Sequence, residues 1–551
     1  MIGKRTVKKV LGKLPFTAEI YWRFIQQGKA PAKNFSLRKL ERSLPDWCAQ
    51  AQAARTSRRP EEPARRILVF ATLRYWIEHA ALLSVSLAGL GHQVTLAYLP
   101  YANWRRPYQL FDIRRQNAYA RNVLQMAHPI IQTVSLLDVK PASGRVFSAN
   151  LFHNLQRVSI RDTQYTLQIE DVDLSGESES ARLYHLRLER NLQAAAALMG
   201  WVQSIDPERR PELLITPNGS ILEMGAIYQA VRSQGIPAVT YEFGEQRERI
   251  WFAQNSEVML QETDDLWAAR KDQPLNESQW AQIRALYASR QNGRLWENFA
   301  RLWQGIPSQG GEQVRQALGL DSRPIVLLAA NVIGDSLTLG RQIFSRNMTN
   351  WLERSVQFFA QKPDVQLVVR IHPGERYLKG PSVAEVVRNA LPQIPAHIHL
   401  IEAADPINTY DLVQIADLGL AYTTTVGMEM PMSGVPVVLG GRTHYRGKGF
   451  TYDPQTWEDY FRMVELALSE PGQRRLSRPQ VELAWKYAYH FFFEYPTPFP
   501  WHLLKFWEEL ENWPVARVLS SEGQAIFGDT FRWLAGAPRT WNAASSPDVE
   551  R

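Results

Sequence analysis

The sequence lacks most of the features that would announce a familiar chemistry. It has one cysteine in 551 residues, Cys48. That excludes an internal disulfide framework and a cysteine-based zinc site, and it fits a reducing compartment. There is no His/Cys cluster, no HExxH and no GxSxG, so neither a zinc protease nor a serine hydrolase is indicated. No run of about 18 apolar residues is available to cross a membrane as a helix. Met1–Lys13 has basic residues but no apolar core of about 7–15 residues, so it does not read as a secretory signal. The expectation is a cytoplasmic protein.

Excess positive charge is also missing from most of the chain. The net charge is +8, yet residues 1–66 alone hold sixteen Lys/Arg against five Asp/Glu, a net of +11. The remaining 47 Lys/Arg and 50 Asp/Glu give −3. A nucleic-acid-binding body would carry its basic residues on the fold, so nucleic acid is not expected as a partner. With 45% hydrophobic and 21% charged residues, the chain has the composition of an ordinary globular protein with room for two or three domains.

Residues 1–66 read as a basic, partly helical leader and linker. Val7, Val10, Leu11 and Leu14 recur at helical spacing among lysines, and Tyr21, Trp22 and Phe24 follow. This pattern suits peripheral adhesion to the anionic cytoplasmic face of a membrane, or a helix packed on the body with a solvated basic face. Residues 67–315 read as a first α/β domain. Its strands are Ile67–Ala71, Gln93–Leu99, a strand and turn over Glu212–Gly219, and Val239–Tyr241 within the run Gly235–Tyr241, and its helices are Trp76–Leu90 and Ile221–Ser233. Residues 103–211 are helical in pattern without a clear order, and alternation near 156–173 suggests strands or an insertion. Linking helices with Trp267, Trp280, Trp296 and Trp303 are expected over 262–315. Residues 316–470 read as a second domain of alternating strands and helices, which argues for a parallel sheet covered on both faces. Residues 471–551 read as C-terminal helices ending in a frayed tail from 538.

The densest signal lies between Leu367 and Asp453. An apolar strand ends in Arg370-Ile371-His372-Pro373, and a second leads into Thr423-Thr424-Thr425-Val426-Gly427-Met428-Glu429. Gly440-Gly441 and Tyr445 follow a third strand. The threonine turn places hydroxyls and backbone N–H groups at a helix start, which favours an anion. Gly427 would let the backbone approach a phosphate, and Glu429 would accept from a ribose. These features read as a nucleotide-sugar site. A threonine-rich N-cap without a ligand is the plainer reading of the same turn. Asp171-Val172-Asp173 is formally a DxD, but it reads as a solvated turn, and no metal is inferred.

The same run resembles the C-terminal half of GT-B glycosyltransferases. It is similar to the capsule polysaccharide biosynthesis family that includes Kdo transferases, and its His-Pro dipeptide to that of bacterial sialyltransferases. Residues 325–465 carry the resemblance, and 67–250 follow it only in general pattern. It implies an α/β GT-B fold: two Rossmann-like domains facing a cleft, with C-terminal helices crossing back.

It also implies a glycosyltransferase that moves a sugar from a nucleotide-activated donor, a CMP-activated acidic sugar, to a glycan or glycolipid in surface polysaccharide synthesis. No cofactor or metal is implied. His372 would stabilise the leaving phosphate, with Arg370, Thr423, Thr424, Thr425, Gly427, Glu429, Gly441 and Tyr445 around the donor. Glu242, followed by Phe243-Gly244, would be the base, although Phe243 replaces the second acid of the sialyltransferase motif. Glu245 competes for that role. Glu78, His79, Asp335 and Ser336 are candidates for the acceptor side or cleft. The alternatives are a transferase using a UDP- or GDP-sugar, and a non-catalytic membrane-docked Rossmann scaffold.

Overall fold

The computed structural model describes residues 4–57, 63–140, 147–296, 305–377, 380–469 and 475–541. The chain divides into two compact units, the first built from Met1–Thr163, Asp173–Met259 and Thr497–Arg539. The second is built from Gln164–Val172, Leu260–Pro496 and Thr540–Arg551. Each is a Rossmann-like α/β unit, the class expected from the sequence. The boundaries differ from those read along the chain. Residues 260–315 group with the second unit, because helix Glu277–Gln291 lays Trp280 and Tyr287 against Trp485 of helix Arg478–Tyr489. The basic N-terminal residues group with the first unit, and the chain rejoins that unit at Thr497 rather than near 471. Part of the expected linker (58–62), Trp303 and the tail from 542 lie outside the described residues.

The first unit contains β1 (Arg66–Thr72), β2 (Gln93–Leu99), β3 (Gln132–Ser135), β4 (Leu213–Pro217), β5 (Ala238–Glu242) and β6 (Arg249–Gln254). The second contains β7 (Ile325–Ala329), β8 (Gln366–Arg370), β9 (Ile398–Ile401), β10 (Leu418–Ala421) and β11 (Val437–Leu439). A last strand, β12 (Thr497–Pro498), returns to the first sheet, whose order is β12-β6-β5-β4-β1-β2-β3. Strands β1 to β5 pair in parallel, while β6 and β12 run antiparallel at one edge. The second sheet has the order β11-β10-β7-β8-β9 and is parallel throughout. Its inner strands, such as IVLLA and QLVVR, are buried at every position, as a sheet covered by helices on both faces requires.

Both sheets reverse their strand order once, between β1 and β4 in the first and between β7 and β10 in the second. Open α/β sheets bind ligands at the carboxyl ends of the strands flanking such a reversal.

Helix Arg74–Gly89 is stopped by Gly91, whose φ of +104° suits the left-handed end of a helix. Gly89 serves close packing instead. A Cβ there would lie 2.5 Å from Leu519 and 3.2 Å from Ala51, so two other helices pack directly over it. The alternation near 156–173 is not strand; residues Ala149–Leu167 form a helix. Its buried stripe is Leu155, Val158, Ser159, Asp162, Thr163 and Thr166, spaced as a helix but largely polar. Ser159 and Thr163 bond back to the carbonyls of Leu155 and Ser159, and Asp162 pairs with buried Arg187. A hydropathy pattern cannot show such a face. Among the described residues, no helix is long and apolar enough to cross a membrane.

Candidate functional site

The strand register of the second unit aligns three side chains. Ala421 of β10 pairs with Ala329 of β7, which pairs with Arg370 of β8. Two residues beyond that row stand Thr423, Asn331 and His372, one at the carboxyl end of each strand. The Asn331 side-chain oxygen accepts the Thr423 backbone N–H at 3.1 Å, and both residues are buried. Thr423 Oγ1 is buried without a hydrogen-bond partner among the described residues. A buried orphan hydroxyl costs about 1–3 kcal/mol and calls for an explanation. It lies at the reversal of strand order, where a ligand is expected.

His372 is half-buried, and its Nδ1 accepts the Gly374 N–H at 3.0 Å. Burial pushes its pKa down; Asp335 opposes that and Arg370 adds to it. The ring is therefore held neutral with its hydrogen on Nε2, a donor rather than a cation. Asp335 belongs to the loop after β7, where its Oδ1 accepts from Leu337 N at 3.0 Å and Ser336 Oγ at 3.2 Å. Asp335 and Ser336 thus shape that turn beside the histidine.

Several expected ligand contacts are instead internal. Arg370 is buried and donates to the Glu402 carbonyl at 2.7 Å and the Ile407 carbonyl at 3.0 Å, bracing the loop after β9. Burial lowers its pKa to about 10, with Asp405 opposing. Glu429 is buried between Arg290 Nη1 at 2.6 Å and the Tyr410 hydroxyl at 2.8 Å, so both carboxylate oxygens face the protein rather than a ribose. A Cβ on Gly427 would lie 2.3 Å from the Tyr445 hydroxyl and 2.7 Å from Ala421 Cβ. The absence of a side chain at Gly427 makes room for Tyr445. Tyr445 is fully buried and donates to the Thr424 carbonyl at 2.7 Å, supporting the threonine turn from below.

Thr425 is the first flanking residue of the short helix Val426–Met432 and makes no side-chain cap bond. Gly441 bridges to Gln342, and a Cβ there would lie 2.9 Å from the Tyr422 carbonyl. The helix start after the β7 loop is already filled: Glu170 accepts Met348 N–H at 3.0 Å and Thr349 N–H at 2.7 Å. Asp171 instead meets Arg346 at 3.3 Å, and Asp173 closes a local turn on Ser175, so the DxD does not converge. Among the described residues, no group of three or more His, Cys, Asp or Glu is arranged to hold a metal.

The first unit has a matching row. Pairing of Val69 with Ile215 and of Pro217 with Tyr241 puts Thr72, Asn218 and Glu242 level at the ends of β1, β4 and β5. Asn218 donates from Nδ2 to Glu242 Oε2 at 3.1 Å, and Phe243 N–H donates to Glu242 Oε1 at 3.0 Å. Glu242 is half-buried. Leu73, Asn218 and Leu222 all have φ between +56° and +65° around this edge. Left-handed backbone at non-glycine residues is costly and gathers at functional sites.

His79 lies inside the core under this edge, enclosed by Trp76, Phe243, Phe499 and Phe506, with Nε2 3.1 Å from the Trp501 carbonyl. Burial pushes its pKa down to about 4. Glu78 is also buried, 3.5 Å from Arg74, and burial raises it to about 7 against the lowering effect of Arg74. Neither side chain is exposed to receive an acceptor sugar. Glu245 is half-buried in the following turn. Asn331 opens the run Asn331–Ser336 that follows the first strand of the second domain, but the sequence suggests a role there only for Asp335 and Ser336 and none for Asn218; the signal for both asparagines is a polar residue just beyond a strand end.

The chain matches no protein-family model and no curated protein. Solved structures with some likeness include the KpsC beta Kdo 2,4 transferase of Thermosulfurimonas dismutans. It is 17% identical, over 50% of this chain and 80% of that one, with a TM-score of 0.32. A glycosyltransferase from Rickettsia africae is 10% identical over 83% and 99% of the two chains, with a TM-score of 0.27. The UDP-GlcNAc 2-epimerase of Neisseria meningitidis, solved bound to UDP-GlcNAc, is 11% identical over 78% and 100%, with a TM-score of 0.26.

Proposed function

We propose that the protein is a glycosyltransferase that uses a nucleotide-activated sugar, with the nucleotide phosphate held at the carboxyl ends of β10, β7 and β8. The observation that carries this reading is the level row of Thr423, Asn331 and His372, with its orphaned Thr423 hydroxyl. In the transfer, an acceptor hydroxyl oxygen forms a bond to the anomeric carbon as the bond from that carbon to the phosphate oxygen breaks. The phosphate leaves with the bonding electrons. His372 Nε2–H and the Thr423 hydroxyl donate to the oxygens on which that charge grows. Glu242, a first-unit carboxylate oriented by Asn218 and Phe243 N–H, is the candidate base carried over from the sequence.

A CMP-activated acidic sugar is the donor we favour, on the likeness of His372-Pro373 to the sialyltransferase dipeptide. The acceptor is a glycan or glycolipid of a surface polysaccharide. Release of free nucleotide from CMP-, UDP- and GDP-sugars, with and without oligosaccharide acceptor, tests the reading. Turnover of a CMP-sugar that falls about 10²-fold or more in Glu242→Gln supports donor and base together. Turnover of a UDP- or GDP-sugar alone replaces the donor, and no turnover of any donor leaves the non-catalytic scaffold.

A further inference from the structure

The basic N-terminal segment is neither a tail nor a core helix. Residues Lys4–Lys13 and Thr17–Ile20 are α-helical, and Tyr21–Ile25 continues as a π-helical turn. One side is fixed firmly to helix Leu110–Leu124. A Cβ on Gly12 would lie 2.7 Å from Phe111 N, so the two backbones nearly touch. Arg114 clasps Glu19 through Nε at 2.9 Å and Nη2 at 2.5 Å, and donates to the Gly12 and Leu14 carbonyls. Trp22 is buried and donates to the Lys29 carbonyl.

The other side is apolar and open. Of the twenty large apolar side chains exposed among the described residues, eight fall between Val7 and Ile25. Phe16 is 70% exposed, Ile20 55%, Phe24 72% and Ile25 67%. Phe16, Ile20, Phe24 and Ile25 together form an exposed apolar stretch within ten residues. Phe16 holds a φ of +59°, unfavourable for an aromatic residue, at the bend between the first two helices. Burial within the chain does not explain this stretch, since the buried positions of the same turns are Ala18 and Trp22.

Charge decides what covers it. Residues 1–33 contain eight Lys/Arg and one acid, Glu19, which is held inward by Arg114. Lys9, Lys13, Arg23 and Lys29 are exposed around this stretch. Exposed aromatic and aliphatic side chains accompanied by exposed cations match the boundary between lipid headgroups and acyl chains.

We propose that the outer face of Val7–Ile25 docks the protein on an anionic lipid surface, with Phe16, Ile20, Phe24 and Ile25 entering the acyl boundary. This stands apart from the glycosyl-transfer reading, because vesicle binding and turnover are measured separately. The test is sedimentation of the full chain with phosphatidylcholine vesicles, with or without about one third phosphatidylglycerol. The wild type binds the anionic vesicles about tenfold more strongly than the neutral ones, and less as salt is raised. The combined Phe16→Ser, Ile20→Ser and Phe24→Ser variant, with unchanged melting, loses about tenfold or more of that binding.

A second measurement removes the dependence on that variant's folding. Cys48, the only native cysteine, is buried with its thiol pushed up to about 11, so a polarity-sensitive thiol dye reports on Ile25→Cys alone. Its emission shifts to the blue with anionic vesicles. Equal binding by the triple variant, a dye that remains in water, or a wild-type dimer dissolved by the triple substitution would each overturn the proposal.

Discussion

The side-chain oxygen of Asn331 accepts the backbone N–H of Thr423 at 3.1 Å, tying together the ends of the two strands between which the second sheet reverses its order. That bond fixes the Thr423 backbone while its hydroxyl stays without a partner among the described residues. A buried hydroxyl without a partner carries a stability cost.

Thr423→Val keeps the shape of the side chain and removes the orphan oxygen. The account predicts unchanged or slightly raised stability, by up to about 1 kcal/mol, because an unsatisfied buried hydroxyl disappears. Nucleotide affinity falls about tenfold, the loss of one good hydrogen bond. Chemical denaturation and calorimetric titration read the two effects independently. Lower stability with intact affinity would make Thr423 a packing residue.

Glu429 separates a ligand contact from an internal one. With Arg290 at 2.6 Å and Tyr410 at 2.8 Å, Glu429→Gln removes the carboxylate charge from a mostly buried ion pair. The expected loss is about 3 kcal/mol of stability. In the folded protein, nucleotide affinity stays within about threefold of wild type. Combining Glu429→Gln with Arg290→Met recovers part of the stability, since both members of the buried pair are then replaced together. Full stability with lost affinity would restore the ribose role read from the sequence.

Glu78 and His79 give the first unit opposing pH dependences. Glu78 is raised from 4.5 to about 7 by burial, so the native state keeps a proton that the unfolded state loses, and stability declines as pH rises from 4.5 through 7. His79 is lowered from 6.5 to about 4 by burial, so its contribution is complete above 6.5 and is lost as pH falls toward 4. Each amounts to about 3 kcal/mol, and the two slopes largely cancel between pH 4.5 and 6.5. Glu78→Gln removes one of them. Its melting temperature relative to wild type should rise by about 5 °C between about pH 5 and pH 8. A difference that does not change with pH would show Glu78 ionised throughout.

Much of the fold was legible because the inner strands are short, apolar and bounded by glycine turns. Ile67–Ala71, Gln93–Leu99 and the strands near 325, 367, 418 and 437 appear where the pattern puts them. Helix Ala149–Leu167 was not legible, since its buried stripe contains Ser159, Asp162, Thr163 and Thr166. In the candidate site the order of elements was readable and the partners were not. Glu429 reads as a ribose ligand only until Arg290, 139 residues earlier, is placed against it. That Gly427 also makes room for Tyr445, eighteen residues on, is likewise invisible along the sequence. Asn331 gains its meaning from the register between β7 and β10, which no single segment reveals.

The central claim is that the ends of β10, β7 and β8 hold a nucleotide phosphate, and calorimetric titration of CMP, UDP and GDP into wild type, Thr423→Val and His372→Ala tests it most directly. The account predicts that one nucleotide, CMP, binds the wild type and that each substitution weakens it about tenfold while the protein melts as before. Binding that is indifferent to both substitutions, or no binding of any nucleotide to a folded wild type, would contradict it.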